Sequence, residues 1–147
     1  MVSLMEADIL VLGRWSEFRQ QALPLRLAVF VKEQGVPLEL ENDEFDEQAT
    51  HALVTDQEGR VIATGRLLTD GRIGRLAVAS DRRSAGVGKR VLQALLDRAR
   101  ELGMSQVQLH ARLEAEPFYT KFGFTSQGDV FDEAGSPHIQ MVRDFSI

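Results

Sequence analysis

The sequence predicts an α/β fold, a mixed β-sheet flanked by helices. Three observations predict it. Short apolar runs punctuated by glycine alternate with helical stripes in the order β-α-β-β-β-α-β-α-β-β. Between Arg72 and Ala111 a strand, a long amphipathic helix and another strand follow one another, the pattern of a right-handed crossover and one parallel pair. The turn before that helix, "DRRSAGVGKR" from Asp81 to Arg90, holds two glycines and four basic residues.

Each element has its own signal. "DILVLGRW" reads as a first strand. "SEFRQQALPLRLAVFVKEQG" carries Leu23, Leu27 and Phe30 at helical spacing, with Gly35 as its stop and Pro24 expected near a helix start. "THALVT" and "GRVIATGRLLT" read as strands joined by the turn "DQEG", and Asp70-Gly71 marks a second hairpin into "RIGRLAVAS". From Gly86 to Leu102, Val87, Val91, Leu92, Leu95, Leu96, Ala99 and Leu102 form an apolar stripe that Gly103 ends. "SQVQLHA" is a strand, "EAEPFYTKFG" a short helix closed by Gly123, and "FTSQGDVFDEAG" with "PHIQMVRDF" a final hairpin. With 147 residues and no repeat or linker, the chain is expected to be a single domain, 1–147.

Composition narrows the function. The chain has no cysteine, so disulfides, thiolate metal sites and cysteine nucleophiles are excluded. The three histidines are scattered without ligand spacing, and no metal is expected. A net charge of −5 makes the chain a poor partner for nucleic acid. No apolar run reaches the roughly 18 residues of a membrane span. The N-terminus does not read as a signal peptide, so a cytoplasmic protein is expected. Charge is unevenly placed: "ELENDEFDE" holds six acids in nine residues, while Arg82 to Arg90 is basic.

The glycine turn fails two phosphate-binding patterns. A magnesium-nucleotide loop needs Gly where Arg83 stands and Ser or Thr where Arg90 stands. The dinucleotide pattern begins with Gly86 and Gly88 but fails at Val91. What remains is Arg-x-x-Gly-x-Gly at a helix start. There the first amides lack partners, the helix dipole is positive, and the glycines let an anion approach.

Taken with the element order, "IGRLAVASDRRSAGVGKRVLQALLDRA" and "AEPFYTKFGF" resemble the GNAT-superfamily N-acetyltransferases. "RLAVFVKEQGVP", "END", "ATHAL", "GRLL", "GRLAV", "FYTKFGF" and "DEAGSPHIQM" are similar, in that order, to the ElaA-like branch. The resemblance implies the GNAT fold, a splayed mixed sheet that holds acetyl-CoA, with transfer to an amine in a ternary complex. Pyrophosphate would lie on Arg83, Ser84, Ala85, Gly86, Val87, Gly88 and Lys89. Pantetheine would pair with the backbone of Leu76, Ala77 and Val78, where a main-chain N–H polarises the thioester. Tyr119 would be the general acid. Phe118 and Arg112 are assigned to the cofactor wall, although Arg112 stands where the branch carries Gln.

The acceptor is expected near the first helix and the acidic loop. Phe30, Glu33 and Gln34 would line that region by resemblance. Glu41, Asp43 and Asp46 could bind a cationic amine or act as a base through water, or Arg66 could pair with Glu41 or Asp43 and pin the loop. His138 is the first choice among the histidines as base, His51 reads as structural, and His110 could face the cleft or the helix. A small amine, a polyamine, a peptide N-terminus and a protein lysine all suit the chemistry, and dimers are common in the family. Two other readings share the fold: a CoA-binding module without activity, and an acyl-homoserine-lactone-synthase-like enzyme, suggested by "RLAVF", "ENDEFDEQATHAL" and "GRLL".

Overall fold

A computed structural model describes residues 8–35, 44–83 and 86–145. Its elements follow the expected order. They are β1 (Ile9–Gly13), α1 (Trp15–Arg26), β2 (Thr50–Thr55), β3 (Val61–Leu67), β4 (Ile73–Val78), α2 (Val87–Glu101), β5 (Gln106–Arg112), α3 (Glu116–Thr120), β6 (Thr125–Glu133) and β7 (Ser136–Asp144).

The strands form two antiparallel sheets, β1-β2-β3-β4 and β5-β7-β6. The expected parallel pair is reduced to a single bridge between Arg72 and Gln108. Beyond that bridge β4 and β5 diverge. The Gln108 N–H donates to the Gly71 carbonyl at 3.0 Å, and Gly71 has φ 94°. A Cβ on Gly71 would lie 2.7 Å from the Gln106 carbonyl oxygen, so this junction admits only glycine. From Ile73 to Val78 the outer edge of β4 has no strand partner among the described residues.

Both faces of the first sheet are covered. Ala52 and Val54 of β2 join the main core under α2, while Leu53 between them packs with Trp15, Phe18 and Ala22 of α1. Alternation along a strand sends these side chains to opposite faces. Burial on both sides explains the continuous apolar run of β2. Val91, Leu92, Leu95 and Leu96 are at most 1% exposed. Each such burial contributes roughly 1.5–3 kcal/mol before entropy is counted. Leu102, placed in this stripe by periodicity, is instead 49% exposed, because α2 ends at Glu101 and the chain turns at Gly103.

Two details depart from expectation. Pro24 lies inside α1, not near its start. It has no N–H to offer the Gln20 carbonyl. Downstream the helix widens into a π-helical segment, Leu27–Glu33, in which the Gln34 N–H reaches back to Val29 at 3.0 Å. Such widened turns recur at functional sites. The second detail is a bulge in β4. Thr64 pairs with Ala77 and Arg66 with Gly74, so Arg75 and Leu76 together oppose Gly65. Arg75 has φ 52°, a sparsely populated conformation for a residue with a side chain.

Candidate active site

The divergence of β4 from β5 opens two recesses. One is a groove of about 600 Å3 along the β4 edge and the start of α2. The other is a cleft of about 430 Å3 between β4 and the second sheet. Gln34 and Leu76 line both, so the two recesses meet there.

The groove gathers most of the expected cofactor residues. Leu76, Ala77, Val78, Arg83, Gly86, Gly88, Lys89 and Phe118 line it, together with Arg82. Gly86 caps α2 in the left-handed conformation, φ 84°, with no acidic residue in the first turn. A Cβ on Gly88 would make only an ordinary contact, 3.6 Å from Val78 Cγ2, so the folded chain alone does not demand glycine there. The missing side chain leaves the helix amides open to the groove. Val87 points inward and is 5% exposed, so only its backbone can face the groove. Ser84 and Ala85 lie outside the described residues.

Arg83 is held by Glu33. Its Nη1 donates to Glu33 Oε2, its Nη2 donates to Glu33 Oε1 at 2.9 Å, and its Nε donates to the Val78 carbonyl at 3.1 Å. This pairing lowers the Glu33 carboxyl below its usual range and raises the guanidinium. Glu33, expected on the acceptor side, therefore clamps the end of the π-helical segment to the loop before α2.

The cleft brings together two residues expected on the acceptor side with the expected general acid and the first-choice base. Phe30, Gln34, Tyr119 and His138 all line it. Burial pushes the Tyr119 phenol up to about 12, so it holds its proton far above neutral pH. His138 is 8% exposed, and its Nδ1 lies 2.9 Å from the Ser136 carbonyl. A carbonyl only accepts, so Nδ1 carries a proton, and in the neutral form of the ring the lone pair is on Nε2. That Nε2 is 3.7 Å from Glu133 Oε2, while Glu133 Oε1 is 2.8 Å from His110 Nδ1. His110 faces the cleft because its neighbours Leu109 and Ala111 turn into the core beneath α2. Arg112 also lines the cleft and not the groove, donating to Gln34 Oε1 at 3.2 Å and to Glu114 at 2.7 Å.

The phenol can be titrated directly. Tyr119 is the chain's single tyrosine. Its near-ultraviolet absorbance should titrate around pH 12, not at the ordinary value of about 10. The raised value means the fold favours the neutral phenol. Stability from this group is complete below about pH 10 and is lost as pH climbs toward the folded value. A midpoint near 10 with the protein still folded would mean that water reaches the ring freely.

Asp46 corrects an expectation. It does not present a carboxylate to a cationic acceptor. It is 1% exposed and accepts from Arg26 at 2.9 and 3.0 Å and from Arg66 Nη1 at 2.9 Å. Two guanidiniums fix it because a buried carboxylate needs charged partners. Arg66 does pin the acidic segment, through Asp46. Glu41 and Asp43 lie outside the described residues. His51, 3% exposed, places Nε2 2.8 Å from the Asp46 carbonyl, and burial lowers its pKa, which fits its structural reading. Periodicity did not single out Arg72, Arg75 or Glu133. The turn signal in "DEAGSPH" brings Glu133 beside the histidines, but only once the hairpin register is known.

A splayed sheet with a glycine-capped helix at its open edge defines an acyltransferase architecture, and comparison with known proteins agrees. The chain belongs to the GNAT acetyltransferases: the family model for the acetyltransferase (GNAT) domain matches residues 15–145. It is 39% identical over 137 residues to the uncharacterized N-acetyltransferase YjcF of Bacillus subtilis, covering 91% of this chain and 98% of that one. The crystal structure of Escherichia coli ElaA superposes with a TM-score of 0.83 at 29% identity, over 92% of this chain and 99% of that one. The acyl-homoserine lactone synthase BjaI superposes at 0.78 with 17% identity, over 93% and 83%, and shares the fold alone. No helix among the described residues is long and apolar enough to cross a membrane.

Proposed function

We propose that the chain transfers the acetyl group of acetyl-CoA to an amine by direct attack within a ternary complex. The observation that carries this reading is the meeting of the two recesses at Gln34 and Leu76, with a proton-holding phenol and an imidazole lone pair in the cleft beside that junction. In this reading the α2 amides and Lys89 hold pyrophosphate, and the unpaired edge of β4 takes the pantetheine arm as a further strand.

The residues then divide the chemistry. His138 Nε2 removes one proton from the acceptor ammonium. The freed amine lone pair attacks the thioester carbonyl, whose developing negative charge is met by a β4 amide. The C–N bond forms and the C–S bond breaks. Tyr119 gives its proton to the departing thiolate, and the second amine proton leaves to solvent. Burial that weakens the phenol as an acid also raises the basicity of a thiolate in the same site, so the two stay matched. No enzyme nucleophile is required, which suits a chain without cysteine.

The test is a melting experiment on the wild type and Gly88→Ala. Acetyl-CoA at about 100 times its dissociation constant adds roughly 2.7 kcal/mol, raising the melting temperature by several degrees, while ATP and NAD do not. Alanine in the first helical turn is favoured over glycine by up to about 1 kcal/mol, so the variant alone melts at or above wild type. Its acetyl-CoA shift falls by more than half, because the new methyl stands where pyrophosphate must approach. A full shift in the variant would remove pyrophosphate from this helix start. No shift in either protein would remove acetyl-CoA.

A further inference from the structure

The second sheet sorts its side chains by face. Leu109, Ala111, Ile139 and Met141 turn into the core beneath α2. The alternate positions of β5 and β7 put His110 and His138 on the other face, toward the cleft. β6 runs beside β7 with Phe131 opposite His138 and Glu133 opposite Ser136, so Phe131 and Glu133 share that face.

A tight turn aims Glu133. Ala134 and Gly135 join β6 to β7 with φ 51° and 81°. A left-handed pair suits a two-residue hairpin, but alanine is a strained occupant of its first place. Backbone held in a sparsely populated conformation marks sites of function. The turn brings Glu133 Oε1 to 2.8 Å from His110 Nδ1 and Oε2 to 3.7 Å from His138 Nε2. The Phe131 ring meets His110 edge-on at 5.0 Å and stacks along His138 at 6.2 Å, so both imidazoles are held in place.

The two carboxylate oxygens face different partners. A carboxylate only accepts, so His110 Nδ1 donates to Oε1. His138 commits Nδ1 to the Ser136 carbonyl, and its neutral ring then turns a second acceptor, Nε2, toward Oε2. Two acceptors 3.7 Å apart match an ammonium group. A nitrogen about 2.9 Å from both sends one N–H to each, with each N–H within roughly 15° of its acceptor. Among the described residues no lysine or arginine pairs with Glu133. Arg112, the strand neighbour of His138, is turned to Gln34 and Glu114. The side chains of Glu133 and His110 are half exposed, so a small amine can reach the pair from solvent.

Building on the transfer reading above, we infer that Glu133 and His138 together seat the primary ammonium group of the acceptor. Glu133 Oε2 holds one N–H and faces the positive charge. His138 Nε2 takes the proton of another: that N–H bond breaks, its electron pair stays on the amine nitrogen, and an Nε2–H bond forms. His110 is a positioning residue that fixes the carboxylate. A quaternary ammonium brings the charge without an N–H and does not fit the seat.

Methylammonium and tetramethylammonium test the seat at neutral pH and equal ionic strength. The chain has three histidines, so their ring C–H signals are few enough to follow by NMR and to assign with His110→Gln and His138→Gln. Methylammonium should shift the His138 and His110 signals saturably and leave buried His51 unmoved, while tetramethylammonium shifts none of them. Glu133→Gln keeps the side-chain length and should weaken methylammonium binding by about tenfold or more, the worth of one charge-assisted hydrogen bond. Transfer is read separately, as thiol release from acetyl-CoA with methylamine, propylamine and benzylamine as acceptor probes. With the best of these, Glu133→Gln should raise KM by about tenfold or more and change kcat less, and His110→Gln should raise KM by a smaller factor. No saturable shift with methylammonium, an equal shift with tetramethylammonium, or unchanged binding and KM in Glu133→Gln overturns the seat, and the transfer reading stands if any probe is acetylated. Selective methylammonium binding that Glu133→Gln weakens, without acetylation of any probe, upholds the seat and overturns transfer to these amines.

Discussion

Asp46→Asn is expected to lower the stability of the folded chain by about 3–5 kcal/mol, the cost of removing one partner from a buried ion pair. The carboxylate lies between Arg26 and Arg66, all three at most 7% exposed. Asparagine keeps the volume and loses the charge, so two desolvated guanidiniums face a neutral amide. His51 bonds to the backbone carbonyl of Asp46, so that bond survives, and the loss reports the side chain alone. Domains hold only about 5–15 kcal/mol in total, so the variant sits near the edge of folding. Urea denaturation should show a lower midpoint with an unchanged slope. A loss below about 1 kcal/mol would mean that the two guanidiniums are compensated by groups other than this carboxylate.

Tyr119→Phe should lower turnover by about 10²- to 10⁴-fold, the usual worth of a positioned proton donor. Phenylalanine keeps the ring contacts with Phe118 and Phe124, at 5.1 and 5.9 Å, so the aromatic cluster remains. Acetyl-CoA should stabilise the variant as much as the wild type, because Tyr119 lines the cleft and not the groove. Steady-state kinetics with the best acceptor probe and a parallel melting shift separate the two effects. Unchanged turnover would assign the proton to another donor or to water.

The order of strands and helices was legible because local rules governed it. Gly35, Gly59, Gly71, Gly103 and Gly123 all adopt positive φ where the sequence has a stop or turn. The groove was legible for the same reason, since its glycines and basic residues are contiguous in the chain. The cleft was not. Its arginines come from positions 66, 72, 75 and 112, and no local pattern announces that they converge. Within the acidic segment, Asp46 reads as an exposed charge until Arg26 and Arg66 close over it. The bulge at Arg75 and the π-helical segment past Pro24 also escaped notice. Each depends on tertiary packing that overrides a regular period.

The single bridge between Arg72 and Gln108 has a mechanical consequence. Two sheets fastened at one end are a pair of tongs, and Gly71 is the rivet. The six residues of β4 make an arm of about 20 Å at strand rise. A turn of roughly 3° at the rivet carries the far end of that arm through about 1 Å, a displacement that can cost an aligned reaction about a hundredfold. The spacing between the two walls of the cleft is set by a residue with no side chain that lines neither recess.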